Sequence, residues 1–149
     1  VNENISFGKD QKENLKIIQS ANIAEIDKEI EKFENKYDTL IGERGVQLSG
    51  GQRQRISIAR AIYINPPIYI FDDCLSSVDA NKEKIILQNL RKKTANSTNI
   101  IISHRTSSLQ NAQHIIVLEE GKIIEQGTHK KLINNNGFYA SMHKKQTTK

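Results

Sequence analysis

Residues 48–73 read LSGGQRQRISIARAIYINPPIYIFDD, and this stretch decides the fold of the chain. A serine before two glycines is typical of a helix N-terminus, because its hydroxyl caps the first turn. We predict a helix from Gln52 to Ile64, ended by Asn65-Pro66-Pro67, since proline has no N–H and clashes with the turn before it. The apolar run Ile68 to Asp72, bounded by prolines and acids, predicts a buried strand.

The rest of the chain alternates in the same way between helical and apolar segments. We predict two short surface helices within residues 10–35, a loop over 37–47, helices over 79–93, 107–111, 128–133 and 138–145, a buried strand at 100–102, and two strands joined by a glycine turn over 115–125. Helices that alternate with apolar strands favour an α/β fold, in which helices cover a sheet.

Composition sets limits on the class of protein. The chain has 149 residues, 36% of them hydrophobic, and a net charge of +5, which suits one globular domain or part of one. Lysines are scattered apart from a basic tail over 143–149, so we expect no nucleic-acid partner. No apolar stretch approaches the ~20 residues of a membrane span, and no secretion signal opens the chain. Cys74 is the single cysteine, which fits a reducing cytosol.

The string Leu48-Ser49-Gly50-Gly51-Gln52 carries the first chemical signal. Glycines let a backbone approach a ligand closely, and a helix N-terminus offers free N–H groups to a phosphate. The alternative is a plain helix cap. Followed by Arg53-Gln54-Arg55, however, the string resembles the signature motif of ABC ATPases, and this resemblance implies that these five residues bind nucleotide.

The strand Ile68-Tyr69-Ile70-Phe71-Asp72 resembles the Walker B strand that follows the signature in this family. Asp72 would hold Mg²⁺ beside a nucleotide, although a strand that ends in two acids is also a turn signal. Asp73 stands where the family usually has the glutamate that polarises the attacking water. Aspartate is one methylene shorter, and a misplacement of ~1 Å can cost ~10²-fold in rate. The substitution is typical of a degenerate site in a heterodimeric exporter.

Three further segments match the family at the expected spacing. Ser76-Ser77-Val78-Asp79 resembles the D-loop, which lies between two nucleotide-binding domains, and Asp79 also reads as a helix N-cap. His104, after a predicted strand, resembles the switch histidine that contacts the terminal phosphate. Glu43-Arg44-Gly45, within Thr39 to Gly45, resembles the exporter segment near the transmembrane coupling helices, with a polar glycine-flanked loop as the alternative.

The resemblance implies a place for the chain within a larger assembly. It is similar to the C-terminal part of an exporter-type nucleotide-binding domain of an ABC transporter, of multidrug or lipid exporter kind. Residues 1–65 would form the α-helical subdomain with a lead-in segment. Residues 66–149 would form the C-terminal part of the RecA-like core, a mostly parallel sheet with flanking helices. No G-x-x-x-x-G-K-[ST] phosphate loop occurs among the 149 residues. We expect that loop upstream, and we expect no hydrolysis by this chain alone.

The family's mechanism implies the cofactors and partners. Two such domains would sandwich two ATP molecules with Mg²⁺ at the cytoplasmic face of a membrane, and the pair would be a homodimer or a heterodimer attached to transmembrane domains. The signature would serve the partner's ATP, while Asp72, Asp73 and His104 would serve the chain's own ATP. The rival interpretations are a non-catalytic remnant that only binds a partner domain and a soluble ABC protein that acts on nucleic acid or ribosomes.

Overall fold

A computed structural model describes residues 1–9, 12–42 and 45–148. The helices are α1 (Asn2–Ile5), α2 (Asn14–Ile23), α3 (Asp27–Ile30), a 3₁₀ turn (Lys36–Asp38), α4 (Gly50–Ile64), α5 (Ala80–Lys93), α6 (Thr106–Leu109), α7 (His129–Asn134) and α8 (Phe138–Thr147); the strands are β1 (Ile68–Asp72), β2 (Thr98–Ile102), β3 (Ile115–Glu119) and β4 (Lys122–Gly127). The predicted α/β class is confirmed, and the predicted elements are present with small differences at their ends.

Helix α4 begins two residues before the predicted start because Ser49 caps it from outside. At the other end Asn65 takes a left-handed conformation, φ 54° and ψ 58°, which asparagine tolerates better than most residues. Pro66 follows and prevents the helix from continuing. Local chemistry alone therefore sets both ends of the longest helix that the structure describes.

The contacts of the chain divide it into two compact units, residues 1–100 and 101–149. In the first unit α4 packs against α1 and α2. The interior is rich in isoleucine, and its fully buried members include Ile5, Ile17, Ile30 and Ile62. This division describes packing, so the predicted subdomain boundary between residues 65 and 66 stays a prediction.

The two predicted buried strands are only partly buried, and here the sequence prediction was wrong. Tyr69 of β1 is 2% exposed but its neighbour Ile70 is 65% exposed, because successive side chains of a strand point to opposite faces. Ile100 and Ile102 of β2 are also exposed. β1 and β2 pair in a two-stranded sheet. An apolar sequence run thus did not imply cover on both faces.

The second unit holds an antiparallel hairpin. β3 and β4 pair from Ile115 opposite Gly127 to Glu119 opposite Lys122, with an irregularity between Val117 and Leu118. Glu120 and Gly121 join the strands with φ of 48° and 74°, the positive pair that tight hairpin turns need. The unit's core consists of Ile115, Val117, Leu132 and Tyr139. None of the helices in the described part of the chain combines the length and the apolar character that a membrane span requires.

Candidate nucleotide and catalytic site

The signature segment lies at the start of α4. The Ser49 hydroxyl accepts a hydrogen bond from the Gln52 backbone N–H at 3.2 Å. The Gln52 side chain in turn accepts from the Ser49 N–H at 2.9 Å. This reciprocal pair is a capping box, which fixes the helix start in space. The Ser49 oxygen serves as a cap and still carries a proton that it can donate, so the helix-cap alternative and a ligand role are compatible.

The two signature glycines allow close packing within the chain. A Cβ on Gly51 would lie 2.8 Å from the carbonyl oxygen of Ser77, and one on Gly50 would lie 3.2 Å from the Ser77 hydroxyl. The first distance is one that real side chains do not reach. Glycine is therefore required at position 51, because the predicted D-loop packs directly against the start of α4.

Gln54, one turn into α4, extends this contact. Its amide nitrogen donates to the Ser76 hydroxyl at 2.8 Å and to the Asp73 carbonyl at 3.3 Å. Its amide oxygen accepts from the Ser77 backbone N–H at 2.9 Å. Sequence reasoning assigned Gln54 no role, and the spacing of 19 to 23 residues between the partners gives no local signal. The structure thus brings together the predicted signature, the D-loop and the Asp73 position.

The predicted Walker B residues lie where β1 ends. Asp72 is the last residue of the strand and is exposed. Asp73 follows with a φ of 43°, a left-handed conformation uncommon for residues other than glycine but enriched for aspartate. Burial raises the pKa of the adjacent Cys74 thiol to about 11, so this thiol is neutral at pH 7. The negative charge of the segment therefore rests on the two aspartates.

The exposed carboxylate of Asp72 is compatible with the predicted magnesium–nucleotide site. No group of three or more histidine, cysteine or acidic side chains gathers in the part of the chain that the structure describes. Mg²⁺ in nucleotide sites needs only one or two carboxylates, because substrate phosphates and water supply the remaining ligands. A single exposed carboxylate at the end of a strand meets that requirement, and Asp72 provides it.

Asp79 fulfils the local prediction made for it. Its carboxylate accepts from the Lys82 backbone N–H at 3.0 Å and caps α5. Val78 before it is buried, whereas Ser76 and Ser77 are exposed. The predicted D-loop is thus held in the interior by Val78 and exposes its two serines next to the start of α4.

A charged cluster that sequence reasoning missed ties α3, α4 and α5 together. Arg55 donates to the two carboxylate oxygens of Glu29 at 2.8 and 3.0 Å. Lys82 donates to the same carboxylate at 2.8 Å, and the Gln52 side chain does so at 3.1 Å. Hydrogen bonds from Arg55 above all lower the pKa of Glu29 to about 2. The signature helix and the helix that follows the D-loop therefore share one partly buried ionic contact.

His104 belongs to the second unit and is exposed. Its carbonyl accepts from the Gln146 amide of α8 at 2.7 Å. The Gln146 oxygen accepts from the backbone N–H of Thr106 at 2.8 Å and from its hydroxyl at 2.9 Å. The main chain on both sides of Arg105 is thereby held by one side chain. Gln146 is 42 residues away in sequence, so no local pattern could have found it.

Helix α8 is also fixed at its other end. The Glu125 carboxylate accepts from the backbone N–H groups of Phe138 at 2.8 Å and Tyr139 at 2.9 Å. A carboxylate suits a helix N-terminus because it meets unpaired N–H groups and the positive end of the dipole. Within this unit, α8 is therefore hydrogen-bonded to the hairpin at its start and to the carbonyl of the predicted switch histidine near its end.

The predicted coupling segment is described only in part. Glu43 and Arg44 lie outside the described residues. At Gly45 a Cβ would collide with the Leu40 carbonyl, and Val46 donates to that carbonyl at 2.9 Å. Glycine is therefore required at position 45 for this close approach to Leu40.

The chain is similar in sequence to a family of known proteins and to several of its members. The family model described as ABC transporter matches residues 1–76. The chain is 45% identical over 147 residues to the ABC transporter B family member 1 of Dictyostelium discoideum, and 42% identical over 146 residues to a probable multidrug resistance ABC transporter ATP-binding/permease protein of Bacillus subtilis. It is 44% identical over 147 residues to the leukotoxin translocation ATP-binding protein of a Pasteurella haemolytica-like species.

Each of these matches takes in 98% of the chain but only 16%, 25% and 21% of the respective relative. The chain thus spans about a quarter or less of the curated relatives that it matches. The structure of a bacterial Atm1-family ABC exporter with ATP bound superimposes with a TM-score of 0.92 at 38% identity, over 98% of this chain and 26% of that one. The fold is therefore that of the corresponding part of an exporter.

Proposed function

This chain belongs to the ABC transporter family, and we propose that it is the C-terminal part of the ATP-hydrolysing domain of an exporter at the cytoplasmic face of a membrane. The observation that carries the proposal is the packing of Gly50 and Gly51 against Ser77. Together with the hydrogen bond from Gln54 to the Asp73 carbonyl, that contact supports a domain in which the signature helix and the Asp73 turn serve two ATP sites.

The signature helix serves ATP that a second nucleotide-binding domain holds. Its first turn offers backbone N–H groups and the positive end of a 15-residue helix to phosphate oxygens, and Ser49 adds a hydroxyl proton. Ser76 to Asp79 lie at the interface between the two domains. This second domain is a copy of the chain or a related one, and attached transmembrane domains complete the transporter.

The chain's own residues serve the other ATP. Asp72 would hold Mg²⁺, which would offset the negative charge of the nucleotide phosphates. Asp73 accepts a proton from the attacking water as general base, and His104 donates a hydrogen bond to the terminal phosphate. Glu43, Arg44 and Gly45 pass the resulting movement to the transmembrane domains. No phosphate loop occurs among these 149 residues, so we infer that they do not hydrolyse ATP by themselves.

Asp73 makes this a slow site. Its carboxylate is one methylene shorter than that of glutamate, so it stops short of a water that glutamate would contact. The proposal therefore includes a degenerate site, as in one subunit of a heterodimeric exporter, and the complementary site formed with the signature of this chain hydrolyses faster.

The test uses the complete polypeptide that carries these residues, assembled with its partner. Asp73→Glu is expected to raise ATP turnover at this site by up to ~10²-fold, and Asp73→Asn to abolish what remains. Asp38→Glu makes the same change in the 3₁₀ turn and leaves turnover unchanged. Equal turnover in Asp73→Glu and Asp73→Asn would show that position 73 does not handle the water, and the assigned site would be wrong.

A further inference from the structure

We propose that Gln54 is a positioning residue that ties the signature helix to the turn carrying Asp73. The residues that serve a partner's ATP and the carboxylate that serves the chain's own ATP would then move together. This inference rests on the proposed function, because it adds a coupling between the two ATP sites to that assignment. It concerns residues of the first compact unit only.

Both ends of the Gln54 side chain are engaged with the turn. The amide nitrogen donates to the Ser76 hydroxyl and the Asp73 carbonyl, and the amide oxygen accepts from the Ser77 N–H. A carboxamide is suited to this task because it is neutral and carries a donor and an acceptor on one planar group. Glutamate would keep the acceptor but lose the donor, and methionine would lose both at similar length.

The turn needs such support because Asp73 has a left-handed backbone. Its carbonyl accepts from the Ser76 N–H at 3.2 Å and the Ser76 hydroxyl at 3.0 Å. Those two bonds are local, whereas the bond from Gln54 comes from another element. Residues in sparsely populated backbone regions persist when their surroundings over-determine them, and they cluster at functional sites. Gln54 therefore connects the strained residue to a rigid helix.

The start of α4 and the turn that follows Asp73 are closely packed. The Ser77 carbonyl occupies the space that a Cβ on Gly51 would need, so the two backbones are in direct contact. The capping box of Ser49 and Gln52 makes the helix start stiff. A displacement of the helix start on closure against a partner must therefore move Ser77, and Gln54 carries that movement to Asp73.

The coupling has a kinetic consequence. If closure on the partner's ATP helps to place Asp73, hydrolysis at the two sites is cooperative, and removal of the link makes the sites independent. Asp73 acts on the attacking water rather than on bound nucleotide. Loss of its placement should therefore lower kcat and leave KM nearly unchanged.

The experiment compares Gln54→Met and Gln54→Glu with the unchanged protein in the complete polypeptide and its dimer. Gln88→Met, at an exposed position of α5, is the matched control for the loss of an amide. For Gln54→Met we expect kcat at the Asp73 site to fall on the order of 10-fold, KM to change less than about 2-fold, and the Hill coefficient for ATP to fall towards 1. Gln54→Glu keeps the acceptor for Ser77 but loses the donor to Asp73 and Ser76, so it should preserve the fold and yet lower kcat and the Hill coefficient.

Amide hydrogen exchange of residues 73–77 gives a second measurement that needs no activity. Exchange should speed up in Gln54→Met and stay unchanged in Gln88→Met. Unchanged exchange, or an unchanged Hill coefficient and kcat in both Gln54 variants, would overturn the inference. Absence of ATP turnover in the unchanged complete polypeptide would overturn the proposed function. The exchange measurement would still decide whether Gln54 stabilises the turn at residues 73–77.

Discussion

Replacing Glu29 with glutamine should destabilise the first unit, because it removes the negative charge that pairs with Arg55. Arg55 is only 5% exposed, and both of its terminal nitrogens donate to the Glu29 carboxylate. Breaking a buried ion pair costs about 3–5 kcal/mol, since the remaining charge is left without its partner. The cost here is lower, because Arg55 keeps hydrogen bonds to the carbonyls of Glu25 and Gly51.

The pKa of Glu29 gives a second estimate of the same quantity. It falls from the ordinary 4.5 to about 2, and at about 1.4 kcal/mol per pKa unit the ionised form is favoured by about 3 kcal/mol. The Glu29 side chain remains 27% exposed, so solvent screening reduces this to about 2 kcal/mol. We therefore expect Glu29→Gln to lower the free energy of unfolding by about 2 kcal/mol at pH 7.

Urea unfolding followed by circular dichroism measures this loss, and pH provides an internal check. The pKa is lowered in the folded state, so the stabilisation is complete above pH 4.5 and is lost as the pH falls towards about 2. The difference in the free energy of unfolding between the unchanged protein and Glu29→Gln should therefore narrow as the pH falls from 4.5 towards about 2. Glu31→Gln is the matched control, since the Glu31–Lys36 pair is exposed and worth at most about 1 kcal/mol. Equal losses in the two variants, or a difference that does not change with pH, would refute the reasoning.

Three further outcomes are expected. Gly51→Ala should destabilise the folded protein by about 1–3 kcal/mol in a thermal melt, because the new Cβ meets the Ser77 carbonyl at 2.8 Å. Alanine normally stabilises a helix relative to glycine, so a stabilised variant would contradict the packing. Burial lowers the pKa of His129, so stability should be fully present above about pH 6.5 and decline below it; His129→Gln should flatten that part of the pH profile. In the complete polypeptide, Gln146→Met should lower ATP turnover at the site that His104 serves on the order of 10-fold, since the His104 carbonyl loses its donor. Normal turnover at that site would show that α8 does not position this histidine.

Signals between neighbours in sequence were sufficient for much of the fold. Ser49 and Asp79 cap their helices as predicted, and Pro66 ends the region of α4. The bounds of β1 follow from the prolines before it and the acids after it. Caps, breakers and tight turns act over three or four residues, so the amino-acid sequence contains the whole interaction. The order of signature, Walker B, D-loop and histidine segments is likewise a property of the sequence.

The tertiary structure decided what each of these segments touches. Whether Ile70 is covered depends on what packs over that face of the sheet, and no periodicity records it. Gln54 reaches the Asp73 turn across 19 residues, Arg55 reaches Glu29 across 26, and Gln146 reaches His104 across 42. Each contact requires two elements to be oriented by the packing of other residues. The sequence by itself therefore determined the elements and the candidate chemistry, whereas only the folded chain decided which side chains hold that chemistry in place.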